Sequence, residues 1–83
     1  MNYQKYQQVR SIIANVLQVP IEQITEETSS ESSDKWDSIA HINICLSIQQ
    51  EFGFDMSLDE LESTKSVQAF MSLLSQHRGP AAE

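Results

Sequence analysis

The stretch "SSDKWDSIAHINICLSIQQEFGF", residues 32–54, contains the change of composition that decides how this chain folds. Up to Lys35 it is hydroxylated and charged, whereas the part after Ser38 is rich in Ile, Leu and Phe and has no glycine before Gly53. Ser and Asp compete for backbone hydrogen bonds and favour loops and caps, while an apolar-rich run of this length favours a helix. We therefore predict a helix that begins near Asp37 or Ser38 and ends near Phe52, with Gly53 as its stop.

A helical wheel divides the apolar residues of this predicted helix into two stripes. With Ile39 at zero and about 100° per residue, Ile42 and Leu46 lie near 300° and 340° and form an outer stripe with Ile39. An inner stripe lies between roughly 140° and 240° and consists of Ile44, Cys45, Ile48 and Phe52. A surface helix of a small bundle needs only one apolar stripe. Either both stripes are buried, or the outer stripe is a face that meets partner proteins, which is our assignment.

A helix and a long loop precede this element. Apolar residues recur at intervals of three and four from about Tyr3 to Gln18, which predicts a helix that Pro20 ends. The segment that follows is acidic and hydroxylated, and such a composition is typical of a loop. Ile21 and Ile24 are its apolar residues, and we expect them to hold the loop against the core. Its serines could be phosphorylation sites beside acidic residues, but a solvated loop is the interpretation that we favour.

Two further helices are predicted after Gly53. A short third helix spans about Leu58 to Glu62, and a fourth begins after Ser66, a good N-cap. The fourth carries one apolar stripe formed by Val67, Phe70, Met71 and Leu74. It is predicted to end at His77, Arg78 and Gly79-Pro80. The chain is thus predicted to be an all-α four-helix bundle, three main helices plus a short third one, with a long first loop. The domain is expected to span residues 1–78, followed by a flexible tail at 79–83.

The composition excludes several classes of protein. Eighty-three residues make one domain with a small core. The net charge is −7 and the five Lys and Arg residues are scattered, so nucleic acid is not expected as a partner. No segment resembles a signal peptide, and no run approaches the roughly 18 apolar residues of a membrane span. We expect a monomeric cytoplasmic protein without a membrane span.

Few residues of the chain carry reactive chemistry. Cys45 is the only cysteine, which excludes an internal disulfide and fits a reducing compartment. Its place beside Ile44 and Ile48 predicts a small buried hydrophobe, with a reactive thiol as the alternative. His41 is expected on the helix surface or partly packed, and with His77 it has no metal-binding spacing. The segment from Asp55 to Ser66 begins like a calcium loop but lacks the central glycine, so no metal site is predicted.

Ser38 is the candidate functional residue. Free backbone N–H groups and the positive end of the helix dipole converge at the start of a helix, and they favour an anion on the Ser38 oxygen. The alternative is that Asp37 or Ser38 is only an N-cap. A hydrolase built on Ser38 and His41 is not expected, because no second segment supplies an oxyanion hole and so short a chain leaves little room for a pocket.

The sequence resembles an acyl carrier protein over nearly all of its length. The residues that carry the resemblance are "DSIAHINICLSIQQEFGF" from Asp37 and "SVQAF" from Ser66. The family's attachment motif is Asp-Ser-Leu at the start of the second helix, and Asp37-Ser38-Ile39 matches it with Ile for Leu. The resemblance implies a four-helix bundle in which Ser38 carries a 4′-phosphopantetheine arm and Asp37 is the motif acid. The arm's thiol would hold acyl or aminoacyl groups as thioesters, so the chain itself would not be an enzyme.

Two departures from the family pattern concern partners. Carriers often have Leu-Gly shortly before the Asp-Ser, where this chain has Lys35-Trp36. Typical fatty-acid carriers also have an acid-studded second helix, whereas here Glu51 is the only acid after Asp37. The resemblance implies a phosphopantetheinyl transferase and acyl- or aminoacyl-transfer enzymes as partners, and the departures favour a dedicated pathway over housekeeping fatty-acid synthesis. The alternative function is an unmodified helical interaction module that uses Ile39, Ile42 and Leu46.

Overall fold

The computed structural model describes residues 3–76, which form four α-helices and a short 3-10 turn. In chain order the elements are α1 Tyr3–Leu17, the 3-10 turn Ile21–Gln23, α2 Ser38–Phe52, α3 Leu58–Ser63 and α4 Val67–Gln76. Within this part of the chain no residue belongs to a named strand. The predicted all-α bundle with a short third helix and a long first connection is confirmed. The predicted helix end at His77 and Arg78, and the tail at 79–83, lie outside the described residues.

The helix ends are determined by residues close to them in the sequence. Gln18 adopts a left-handed conformation with φ 59° after the last residue of α1, and Pro20 cannot continue the helix. Gly53 ends α2 in the left-handed region with φ 71°, where the absence of a Cβ removes the steric penalty. At the start of α4, the Ser66 hydroxyl accepts a hydrogen bond from the Ala69 N–H at 3.0 Å. These stops and the Ser66 cap confirm the boundaries predicted from the sequence.

The core lies between α1, α2 and α4, and two residues of the long loop complete it. Its buried members are Val9, Ile13, Ala14, Leu17, Ile24, Trp36, Ile44, Cys45, Ile48, Val67, Phe70 and Leu74. The inner stripe of α2 therefore faces the bundle as predicted, with Phe52 partly buried at its end. Burying such side chains removes apolar surface from water, which is the main favourable term in folding.

The long loop between α1 and α2 is held at several points along its length. Ile24 is buried, as predicted, and Ile21 packs against the core. The Arg10 side chain donates from Nε to the Ile24 carbonyl at 2.7 Å and from Nη2 to the Ile21 carbonyl at 2.9 Å. Further along, an antiparallel bridge joins Ser29 to Ser66 at the start of α4. These contacts therefore hold the last residues of the loop in place at the head of α2.

Candidate functional site

Asp37, and not Ser38, caps α2. The Asp37 side chain accepts a hydrogen bond from the Ala40 N–H at 2.9 Å, and its carbonyl accepts from the His41 N–H at 2.8 Å. Ser38 is the first residue of the helix and is exposed. Of the two possible cap residues, the structure thus assigns the cap to Asp37, and Ser38 makes no capping hydrogen bond.

The surroundings of Ser38 suit a phosphate ester on its oxygen. The first N–H groups of an α-helix have no partner within the helix, and the helix dipole places partial positive charge at this end. The carboxylate of Asp37 is engaged with a backbone N–H, which offsets part of its repulsion toward a second anion. Lys65 brings a cation to the cavity that Ser38 borders. The residues present therefore fit a phosphopantetheine group attached at Ser38.

An open cavity of about 460 Å³ lies beside Ser38. Residues from the long loop, α2, α3 and the link into α4 line it: Ser30, Trp36, Asp37, Ser38, His41, Ile42, Leu61, Glu62 and Lys65. Ile42 of the outer stripe is among them. The cavity, Ser38 and Ile42 of the outer stripe therefore form a single surface region.

His41 forms the inner wall of this cavity, and the expectation of a surface or partly packed residue is wrong. Its side chain is only 6% exposed, and that of Trp36 is 3% exposed. The Trp36 indole N–H donates to His41 Nδ1 at 3.1 Å, and His41 Nε2 lies 2.6 Å from the Leu61 carbonyl oxygen. Because an indole N–H can only donate and a carbonyl can only accept, these partners select the neutral tautomer with its proton on Nε2. Phe70 packs beside both rings, with its centroid 6.4 Å from that of Trp36.

A signal for the burial of His41 was present in the sequence. On the wheel used above, residue 41 lies near 200°, which is inside the inner stripe. The residue type argued for the surface and the periodicity argued for the core, and the periodicity was right. No comparable signal identified Trp36 or Leu61 as its partners, because they come from a loop and from α3.

The arrangement does not support catalysis by a Ser38–His41 pair. Both ring nitrogens of His41 are occupied, one by the Trp36 N–H and the other by the Leu61 carbonyl. Neither is free to take a proton from Ser38. Within residues 3–76, no group of three or more His, Cys, Asp or Glu residues is placed to hold a metal ion.

Cys45 is buried on the inner stripe, as predicted. It is 0% exposed, and burial raises the pKa of its thiol to about 11. A thiol with so high a pKa is almost entirely protonated near neutral pH and is a poor nucleophile. Its sulfur lies 3.6 Å from His41 Nε2, so it packs against the same ring that lines the cavity.

The outer stripe is exposed. Ile39 is 73% exposed, Ile42 46% and Leu46 52%, so the alternative that both stripes are buried is wrong. Glu51, the only acid within α2, accepts a hydrogen bond from the Gln8 side chain of α1 at 3.2 Å. The exposed apolar surface of α2 therefore lacks the acidic residues that would attract basic partners.

Comparison with known proteins identifies the family. The phosphopantetheine attachment site family matches residues 7–74. The acyl carrier protein of Lactobacillus acidophilus is 30% identical over 74 residues, which cover 89% of this chain and 92% of that protein. The acyl carrier protein of Coprothermobacter proteolyticus is 28% identical over 69 residues, 83% of this chain and 84% of its own. That of Petrotoga mobilis is 28% identical over 71 residues, 86% of this chain and 84% of its own.

Proposed function

The chain belongs to the phosphopantetheine attachment site family and is a non-catalytic carrier protein, and on that premise we propose that Ser38 carries its 4′-phosphopantetheine. The observation that supports this most directly is the division of roles at the head of α2. Asp37 takes the capping hydrogen bond, so the exposed Ser38 hydroxyl has no structural task there. The group supplies a thiol on a long arm, where acyl groups are held as thioesters and presented to partner enzymes at high effective concentration.

The attachment reaction is a transfer from coenzyme A to the Ser38 hydroxyl. A new bond forms between Ser38 Oγ and the phosphorus that bears pantetheine. The phosphoanhydride bond to that phosphorus breaks, adenosine 3′,5′-bisphosphate leaves, and the hydroxyl proton passes to a base of the transferase. This chain contributes an accessible oxygen at the positive end of α2, which stabilises the phosphodiester charge.

Intact-mass measurement tests the attachment. Purified apo-protein incubated with coenzyme A, Mg²⁺ and a phosphopantetheinyl transferase should gain one phosphopantetheine. Ser38→Ala should gain none, and Ser11→Ala, which removes an exposed serine from α1, should be loaded like the wild type. Labelling of Ser38→Ala would contradict the assignment, and an unlabelled wild type would favour the unmodified interaction module.

We further propose that the carrier serves a dedicated pathway in the cytoplasm, as a monomer, and that the outer stripe meets the enzymes of that pathway. Apart from Glu51, the acids near α2 flank it. They include Glu26, Glu27, Glu31, Asp34 and Asp37 before the helix and Asp59, Glu60 and Glu62 after it. As the family resemblance implies, fatty-acid synthesis enzymes present basic patches to an acid-lined second helix. Charges at an interface rim govern encounter and exclude wrong partners, so these enzymes should handle this carrier poorly.

A side-by-side kinetic assay tests the dedicated pathway. A malonyl transferase or ketosynthase of fatty-acid synthesis should show a lower kcat/KM with this carrier than with a standard fatty-acid carrier. Association with a cognate enzyme should still weaken with salt, because exposed charges are screened beyond about 8 Å at physiological ionic strength. Equal specificity constants for the two carriers would return fatty-acid synthesis as the better interpretation.

A further inference from the structure

His41 is a buried titratable residue that the attachment reaction does not use. Besides its contact with the Cys45 sulfur, it makes two hydrogen bonds that reach different parts of the chain. One partner, Trp36, lies near the end of the long loop, and the other, Leu61, belongs to α3. The ring of His41 thus joins three segments that line the cavity beside Ser38.

We propose that His41 is a positioning residue for the transfer reactions at Ser38, since its two hydrogen bonds join the head of α2 to the long loop and to α3. The proposal rests on the assignment of Ser38 as the attachment residue. Trp36 precedes Ser38 by two residues and His41 follows it by three, so their hydrogen bond spans the serine. The bond fixes the path of the chain on both sides of the hydroxyl that a transferase must reach.

The second hydrogen bond matters because α3 is otherwise lightly held. α3 is six residues long and contains no fully buried residue, although Leu61 packs partly against the core. Among the described helices, extensive packing joins α1 to α2 and α1 to α4, and α3 takes part in neither contact. The bond from His41 Nε2 to the Leu61 carbonyl therefore helps to hold α3 in place, together with the partly buried Leu61 side chain. Leu61 and Glu62 line the cavity beside Ser38, so this bond also shapes the surface that an enzyme meets.

A neutral imidazole is suited to this task by its two different nitrogens. Nδ1 must accept from an indole and Nε2 must donate to a carbonyl, and one neutral ring does both. A ring with its proton on Nδ1 instead would face the Trp36 N–H with a second donor and would lose that bond. The Cys45 thiol on α2 lies beside the ring, and Asp37, Glu62 and Lys65 line the cavity.

The test compares the wild type with His41→Gln and Trp36→Phe as apo-protein substrates of a phosphopantetheinyl transferase. Trp36→Phe keeps a ring in the stack but removes the N–H donor. The amide of His41→Gln carries an acceptor and a donor, but on a flexible chain and not at fixed places on a ring, so both bonds should be weakened. We expect kcat/KM to fall about fivefold in each folded variant, the effect of one hydrogen bond of ordinary net strength, through a higher KM for the carrier. Circular dichroism and thermal melts establish that each variant is folded at the assay temperature.

Exchange of the Trp36 indole proton separates positioning from mere stability. Trp36 is the only tryptophan, so its indole N–H gives one assignable NMR signal. That proton should exchange slowly in the wild type and lose protection in folded His41→Gln.

The outcomes that would overturn the inference are distinct from failure of the attachment assignment. An unloaded wild type would defeat both proposals. A loaded wild type, with both folded variants equal to it in KM and kcat/KM, would defeat the positioning role alone. If His41→Gln does not fold, Trp36→Phe and the wild-type exchange measurement decide. Normal kinetics in the former, or an unprotected indole N–H in the latter, would be contrary results.

Discussion

Replacing Asp37 with alanine should destabilise the protein while leaving Ser38 available for modification. The carboxylate of Asp37 accepts the Ala40 N–H at 2.9 Å, and loss of such a cap costs about 1 kcal/mol, within a range of roughly 0.5–2 kcal/mol. For a domain of this size, about 1 kcal/mol corresponds to a fall of roughly 4–8 °C in Tm. Ser38→Ala removes an exposed hydroxyl and should change the free energy of unfolding by no more than about 0.5 kcal/mol.

Asp37→Asn is the matched control for this prediction. Asparagine is as good an N-cap as aspartate but is uncharged, so only the interaction with the helix dipole is lost, about 0.3–1 kcal/mol. Urea unfolding followed by circular dichroism gives the free energies, provided that the slope m is the same for all variants. Intact mass after incubation with coenzyme A and the transferase should show one group on Asp37→Ala and none on Ser38→Ala. If Ser38→Ala were as destabilised as Asp37→Ala, the division between cap and attachment residue would be refuted.

Three further predictions concern the two faces of α2 and its thiol. Ile44→Ala and Ile48→Ala, at fully buried positions, should each lower the free energy of unfolding by about 2–5 kcal/mol. An unchanged urea midpoint in both variants would show that the inner face is misassigned. Ile42→Ser and Leu46→Ser should lower the free energy of unfolding less, because both side chains are about half exposed. Both variants should nevertheless slow transfer by cognate enzymes. If both variants unfolded, the outer stripe would be part of the core. Since burial raises the pKa of the Cys45 thiol from 9.0 to about 11, the unfolded chain loses this proton first, so stability should fall as pH rises between those values. Cys45→Ala should lack that part of the decline, and an identical pH profile in the two proteins would contradict it.

The helix boundaries could be predicted because the signals that set them are local. Pro20 and Gly53 act through their own backbone chemistry, and Ser66 acts on an N–H three residues away. The two stripes of α2 were likewise visible in the period of a helix. The sequence could not decide which stripe was covered, since that depends on where the long loop runs. The loop runs along the side set by Arg10 and the Ser29–Ser66 bridge, and the outer stripe stays exposed.

The sequence also could not decide which residue caps α2. Asp37 and Ser38 are both good N-cap residues, and propensity alone does not separate them. A one-residue difference in the helix start determines which side chain reaches the first free N–H groups. Trp36, immediately before Asp37, is buried and holds the end of the loop against the core. The role that we propose for Ser38 therefore depends also on a core residue that the attachment motif does not contain.

The two hydrogen bonds of His41 could not be predicted from the sequence, for a further reason. Periodicity placed residue 41 on the inner face, but a histidine there is stable only if both ring nitrogens find partners. Those partners are a loop tryptophan and a backbone carbonyl of a helix that is itself weakly encoded. A buried polar group that is fully hydrogen-bonded favours one arrangement of its neighbours over others, because every shift leaves a donor or acceptor unpaired. An all-apolar residue at position 41 would fill the same space without that directional preference, and α3 would then be free to settle elsewhere beside Ser38.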